Sequence, residues 1–228
     1  MKKIAIVLAR SNSKRIKNKN ITKIKGKPLI GWLIQKLKKS KFFDVILVST
    51  DSVKIKNISE SFGAKAPFLR SKTNSSDYAT TNDALLETIK KYKKLSQDKV
   101  DYACCFYASN PFFEMKKNIT GFKKILGKKY YSVFTSFKIN EKYIRSFSYN
   151  KKNKINFLSK SFLQSRTQDL PKLYIDAGQW YWFKVNSFIK RKKIISNDSF
   201  AIIIDKKKNI DLDTFSDLKK LKKNFNIR

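Results

Sequence analysis

The chain has 228 residues, 41% of them hydrophobic and 14% aromatic, with 52 Lys and Arg against 17 Asp and Glu, a formal net charge of +35. That length and apolar content suit one sizeable globular core, which excludes a disordered basic tail, and no apolar stretch reaches membrane-spanning length. The charge does not indicate a specific nucleic-acid partner: only seven basic residues are Arg (10, 15, 70, 145, 166, 191 and 228) and the Lys residues run from end to end without a stripe, whereas base readout leans on clustered Arg.

The chain opens with Ile4-Ala5-Ile6-Val7-Leu8, which has the length and Ile/Val content of a strand buried on both faces, and no signal-peptide pattern precedes it. The strand stops at a turn of small polar residues carrying five cations: Arg10, Lys14, Arg15, Lys17 and Lys19. Backbone N–H groups and cations that converge at the carboxyl edge of a sheet can grip a polyphosphate; a solvated basic loop is the competing reading. Pro28 marks a helix start, with Leu29, Ile30, Leu33, Ile34 and Leu37 at helical spacing. Residues 45–48 form a second buried strand, 53–62 a short helix closed by Gly63, and 80–92 an amphipathic helix. Residues 102–107 are a third buried strand; it contains the only two cysteines, Cys104 and Cys105, whose side chains point to opposite faces. A disulfide between them would be strained, so they read as small buried groups in a reducing cytoplasm.

A helix is expected over 115–126 and a strand over 131–137. Over 138–171 the pattern breaks into aromatics alternating with Lys, Ser and Asn, which reads as a β-rich insertion whose aromatics need a covering surface. Regular structure returns at 179–183 and 201–204, followed by a short acidic element, and a last helix is expected over 217–225. The alternation predicts a three-layer α/β fold with a mostly parallel sheet, ligands bound at the carboxyl ends of its strands, and one domain over 1–228 interrupted by the 138–171 arm.

Acids are scarce, which gives Asp211-Leu212-Asp213-Thr214 weight. Two carboxylates two residues apart share one side of an extended segment and can hold a hard cation such as Mg²⁺; a helix cap at Asp213 or Thr214 is the competing assignment. The chain contains no His, so a general base must be an aspartate, with Asp211 the candidate, or a metal-bound water.

The order of these segments resembles the acylneuraminate cytidylyltransferase family. The likeness rests on Ala9-Arg10-Ser11-Asn12-Ser13-Lys14-Arg15-Ile16 with Lys19-Asn20, on Gly26-Lys27-Pro28-Leu29, on Val48-Ser49-Thr50-Asp51, on Phe68-Leu69-Arg70 and on Asp211-Leu212-Asp213-Thr214. Ser11-Asn12 replaces the family's Gly pair. Tyr107-Ala108-Ser109-Asn110-Pro111, Arg166-Thr167-Gln168-Asp169-Leu170-Pro171 and Asp176-Ala177-Gly178-Gln179-Trp180-Tyr181-Trp182 are similar to the pseudaminic acid branch, with Ala108 and Asn110 as departures.

The resemblance implies a Rossmann-like nucleotide-diphospho-sugar transferase fold. It also implies transfer of CMP from CTP to an acidic nine-carbon sugar, with Mg²⁺, in a cytoplasmic homodimer formed through the 138–171 arm. Carried over by position, Arg10, Ser13, Lys14 and Lys19 would bind the triphosphate, Asn20 the ribose, and Arg70, Ala79 and Thr81 the cytosine. Asp211 and Asp213 would hold the metal, and Tyr107, Arg166, Gln168 and Gln179 the sugar. N-acetylneuraminate and legionaminate are the alternative sugars; a basic nucleic-acid-binding module is the alternative of another class.

Overall fold

The first strand, β1 (Lys3–Leu8), divides its side chains between two apolar clusters: Ala5 and Val7 enter one, Ile4, Ile6 and Leu8 the other. Alternation along a strand sends neighbours to opposite faces, so a wholly apolar strand needs a cover on each side. The computed structural model that shows this describes residues 1–13, 16, 18–97, 99–127, 129–209, 212, 214, 216–219 and 221.

After β1 come a 3₁₀ turn at Lys19–Ile21 and a small hairpin, β2 (Lys23–Ile24) with β3 (Lys27–Pro28). Its turn holds Lys25 at φ 48° and Gly26 at φ 75°, the left-handed pair that a tight two-residue hairpin demands. Helix α1 (Leu29–Lys39) follows directly, with Pro28 extended in front of it instead of in its first turn. Strand β4 (Val45–Ser49) leads to α2 (Val53–Ser61), capped by the Ser52 hydroxyl and closed at Gly63 with φ 89°. Helix α3 (Thr81–Ser96) starts with a capping box between Thr80 and Asp83. Next come β5 (Tyr102–Tyr107), α4 (Met115–Leu126) and β6 (Ser132–Ile139).

Between residues 138 and 171 lies one hairpin, β7 (Phe147–Tyr149) with β8 (Ile155–Phe157), flanked by 3₁₀ turns at Glu141–Arg145 and Thr167–Asp169. Strand β9 (Leu173–Lys184), helix α5 (Val185–Arg191) and β10 (Ser199–Ile203) complete the sheet. Its order is β10-β6-β9-β5-β1-β4, and β9 alone runs against the other strands, pairing antiparallel with both β5 and β6. One face is covered by α1, α2 and α4 through Leu33, Ile34, Ile55, Phe122 and Ile125; the other by α3 and α5 through Leu85, Ile89 and Phe188. This is the three-layer, mostly parallel α/β arrangement that the alternation of elements predicts. Cys104 and Cys105 fall in opposite clusters, both buried and free. Burial drives both thiol pKa values upward, so neither is a reactive thiolate.

Residues 216–219 and 221 are helical, and the rest of the expected 217–225 helix lies outside the described residues. Its cap is Thr214, whose N–H and hydroxyl donate to Asp217 at 2.8 and 2.7 Å while the Asp217 N–H donates back to the hydroxyl. No helix among the described residues is long and apolar enough to cross a membrane.

Candidate active site

The carboxyl ends of β1, β4 and β5 lie side by side, since β1 pairs in parallel with both neighbours. Above them opens a cleft of about 410 Å³. Its wall brings together Arg10, Ser13, Lys19 and Asn20 from the turn after β1, Arg70 and Ala79 from the two loop stretches before α3, Thr81 from the start of α3, and Tyr107 from the end of β5. Eight of the residues that the sequence singles out therefore share one concavity, although up to 97 positions separate them.

The turn after β1 is held by its neighbours. The Ser11 N–H and hydroxyl donate to the two carboxylate oxygens of Asp51, each at 2.7 Å. The buried Asn20 amide donates to the Arg10 carbonyl at 2.8 Å. The Arg10 guanidinium crosses the cleft to donate to the Ser76 carbonyl at 3.2 Å and to the Asp77 carboxylate at 3.1 Å.

Arg70 is 7% exposed, and its Nε donates to the Ser75 hydroxyl at 3.1 Å. Burial lowers its pKa from the usual arginine value, while the carboxylates of Asp51 and Glu87 pull it back up. Its loop is pinned from below by Glu87 of α3. That carboxylate accepts the Ser71 N–H and hydroxyl, both at 2.7 Å, and the Asn74 amide at 2.6 Å, and pairs with Lys91 at 2.6 Å. Burial opposes the Glu87 charge, but the hydrogen bonds from Lys91, Ser71 and Asn74 outweigh it and hold the pKa at about 2. A carboxylate depressed in the folded state stabilises fully above its unfolded value of 4.5, and that contribution fades as pH falls to about 2. Glu87→Gln should accordingly lower the melting temperature at pH 7 and flatten its decline between pH 4.5 and 2, as thermal unfolding across pH would read out.

On the far side, the Tyr107 and Thr81 hydroxyls share a hydrogen bond of 2.7 Å. The Tyr107 ring meets Tyr181 edge-on at 5.8 Å, and the Tyr181 hydroxyl donates to Asp176 at 2.6 Å. Burial raises the pKa of both phenols, so they stay protonated donors. Gln179 is buried beside this group on β9 but is not in the cleft wall. Arg166 and Gln168 stand exposed on the arm and do not reach the cleft of their own chain.

Lys14, Asp211 and Asp213 lie outside the described residues. Their neighbours converge: Ile16, a cleft residue, packs in one apolar cluster with Leu212, and the Leu212 N–H donates to the carbonyl of Ser109, also a cleft residue, at 3.3 Å. Asn209, just upstream, accepts from the Asn110 amide at 2.9 Å and donates to the Ala177 carbonyl at 2.8 Å. Asn209 and Leu212 are thus stitched to the loop after β5 and to the middle of β9.

Residues 4–227 match the cytidylyltransferase family. The chain belongs to that family. It is a CTP-dependent nucleotidyltransferase, 34% identical over 221 residues to the pseudaminic acid cytidylyltransferase of Campylobacter jejuni subsp. jejuni serotype O:23/36, covering 96% of this chain and 94% of that one. It is 35% identical over 204 residues, 89% of this chain, to a Helicobacter pylori protein named as a pseudaminic acid cytidylyltransferase and a UDP-2,4-diacetamido-2,4,6-trideoxy-beta-L-altropyranose hydrolase, of which the match covers 38%. In fold, this cytidylyltransferase is similar to CMP:2-keto-3-deoxy-manno-octonic acid synthetase solved with CTP, at a TM-score of 0.73 and 15% identity over 99% of each chain.

The holding roles of Asp51 and Glu87 beside the cleft of this cytidylyltransferase are not signalled by the sequence. Asp51 sits inside a matching motif, but its partner Ser11 is 40 positions away and only the β1–β4 pairing brings them together.

Proposed function

We propose that the enzyme transfers CMP from CTP to a nonulosonic acid, pseudaminic acid foremost, releasing pyrophosphate. The observation that carries this reading is the single cleft that unites the cationic turn, the buried Arg70 and Tyr107. The full-length likeness to the C. jejuni enzyme supports the choice of sugar. In this reading the sugar's anomeric hydroxyl attacks the α-phosphorus of CTP. The new O–P bond forms as the bond to the β-phosphate oxygen breaks, and pyrophosphate leaves with the displaced charge.

Both substrates are anions, so the enzyme's first task is to offset their repulsion and hold them in line. Arg10, Ser13, Lys14 and Lys19 take the triphosphate, Asn20 the ribose, and Arg70 with Ala79 and Thr81 the cytosine edge. Tyr107 faces the sugar, and Gln179, buried outside the cleft wall, is assigned to the sugar by the family resemblance alone. Arg166 and Gln168 serve the sugar pocket of a partner subunit in a homodimer joined through the arm, whose exposed Tyr143, Tyr149, Ile155 and Leu158 such a contact would cover. Asp211 and Asp213 suit Mg²⁺ by their donor chemistry, two carboxylates at two-residue spacing; the competing assignment, a helix cap at Asp213 or Thr214, is met at Thr214. A bound Mg²⁺ would supply positive charge to the phosphates. Asp211 is the candidate acceptor for the hydroxyl proton.

The test is pyrophosphate release by purified enzyme across CTP, UTP, ATP and GTP, each with pseudaminic acid, N-acetylneuraminic acid, legionaminic acid and 2-keto-3-deoxy-octonic acid. Turnover is expected with CTP alone and fastest with pseudaminic acid. Preference for another sugar would replace the substrate, and silence with every pair would end the reading.

A further inference from the structure

The turn after β1 and the end of β4 are joined beyond the point where their backbones part. Leu8 is the last β1 residue paired with β4, opposite Ser49, and the Ala9 N–H still donates to the Ser49 carbonyl at 3.0 Å. Two residues further on, a side chain takes over from the ladder: Asp51 accepts the Ser11 N–H on one oxygen and the Ser11 hydroxyl on the other, both at 2.7 Å. Such charge-assisted pairs are short and strong, and two on one residue fix its orientation as well as its position. The second of them exists only because residue 11 is Ser; a glycine could offer the N–H alone.

A carboxylate beside a polyphosphate site is unfavourable in itself, since it repels the ligand. The Asp51 charge favours the protonated form of the buried Arg70, and the loop bearing Arg70 is tied to the same strand end by the Arg70 N–H donating to the Thr50 carbonyl at 2.8 Å. Both Asp51 oxygens are engaged by Ser11.

Building on the proposed reading, we infer that Asp51 is a positioning residue: through its two-oxygen grip on Ser11 it places the flanking Arg10 and Ser13 where they receive the triphosphate. It touches no reacting atom. Its effect falls on the phosphate chain and not on the base, because the contact it fixes lies on the turn that carries Arg10, Ser13 and Lys19, all in the cleft wall.

The experiment compares CTP and cytidine binding by calorimetry to the full-length wild type, Asp51→Ala, Asp51→Asn and Ser11→Ala. Wild type should bind CTP. Asp51→Ala should weaken CTP by about tenfold or more, the scale of two lost charge-assisted hydrogen bonds, and leave cytidine within about twofold. Asp51→Asn keeps an acceptor for the N–H and offers an amide donor to the Ser11 oxygen, so it should restore CTP binding to within about threefold of wild type. Ser11→Ala, which removes one contact and tests the idea even if Asp51→Ala fails to fold, should weaken CTP by a few fold. Equal losses for CTP and cytidine, unchanged CTP binding in Asp51→Ala or in Ser11→Ala, or no recovery in Asp51→Asn would each overturn the positioning role while leaving the enzyme's function standing. A wild type that ignores CTP would remove both.

Discussion

Arg70→Ala is expected to lower kcat/KM for CTP by about a hundredfold or more, with the fold retained. Arg70 is the one described arginine of the cleft that is almost wholly buried, at 7% exposure. A buried guanidinium presents fixed donors at no further cost in side-chain entropy, which is what reading the acceptor edge of a base requires. Its removal takes away those donors and a cation whose charge is favoured by Asp51 and Glu87. The protein should survive the change because each carboxylate keeps its other partners, Ser11 for Asp51 and Ser71, Asn74 and Lys91 for Glu87. Arg70→Lys separates the roles: it keeps the charge and loses the planar fork. It should preserve stability yet recover little of kcat/KM, because a point charge cannot replace paired donors. Steady-state kinetics with CTP varied, alongside thermal unfolding of each variant, decides the matter. Near-wild-type kcat/KM in Arg70→Ala would remove this residue from the nucleotide site.

The largest effect on stability should come from Trp182→Ala, at about 3–5 kcal/mol. Trp182 is fully buried on β9, stacked on Phe43 at 5.3 Å, tilted on Phe122 at 4.9 Å and met edge-on by Phe42 at 6.2 Å. Its indole N–H donates to the Asn118 carbonyl at 3.1 Å. The close fit is visible from α4 as well: a Cβ on Gly121 would stand 2.6 Å from the neighbouring Trp180 ring, so this helix has no slack with which to fill a vacated site. For a chain of this length the loss corresponds to a fall in Tm of roughly 6–20 °C. Because Trp182 lies in the sheet away from the cleft wall, the KM for CTP of the folded fraction should stay within about twofold. A melting temperature within a few degrees of wild type would contradict the packing described here.

The fold was readable where burial is continuous. The runs beginning at Ile4, Val45 and Tyr102 are unbroken apolar stretches, and each became a strand within a residue of its expected bounds. Helix α5 left no such mark, because its seven residues bury only Val185 and Phe188, too few to set a period. The first half of β9 was equally silent: its pairing with β6 shifts register between Phe134 and Ser136, and Gly178 sits at φ 62°, so the two-residue alternation is interrupted. In the cleft, residues placed by strand ends, such as Arg10 and Tyr107, were legible because the sheet itself delivers them to one edge. Asp51 and Glu87 were not, since their roles exist only through partners 40 and 16 positions away. The antiparallel course of β9 is a further case, as direction in a sheet depends on the path of the chain and not on any local pattern.

The contact between Arg10 and Asp77 has one more implication. Both side chains are more than a third exposed, and a pair so open to water contributes on the order of 1 kcal/mol or less. In a protein of net charge +35, stray polyanions compete for every accessible cation. On the proposed reading an incoming triphosphate would displace Asp77 from Arg10, and a pair this weak sets a cost of only about fivefold in binding.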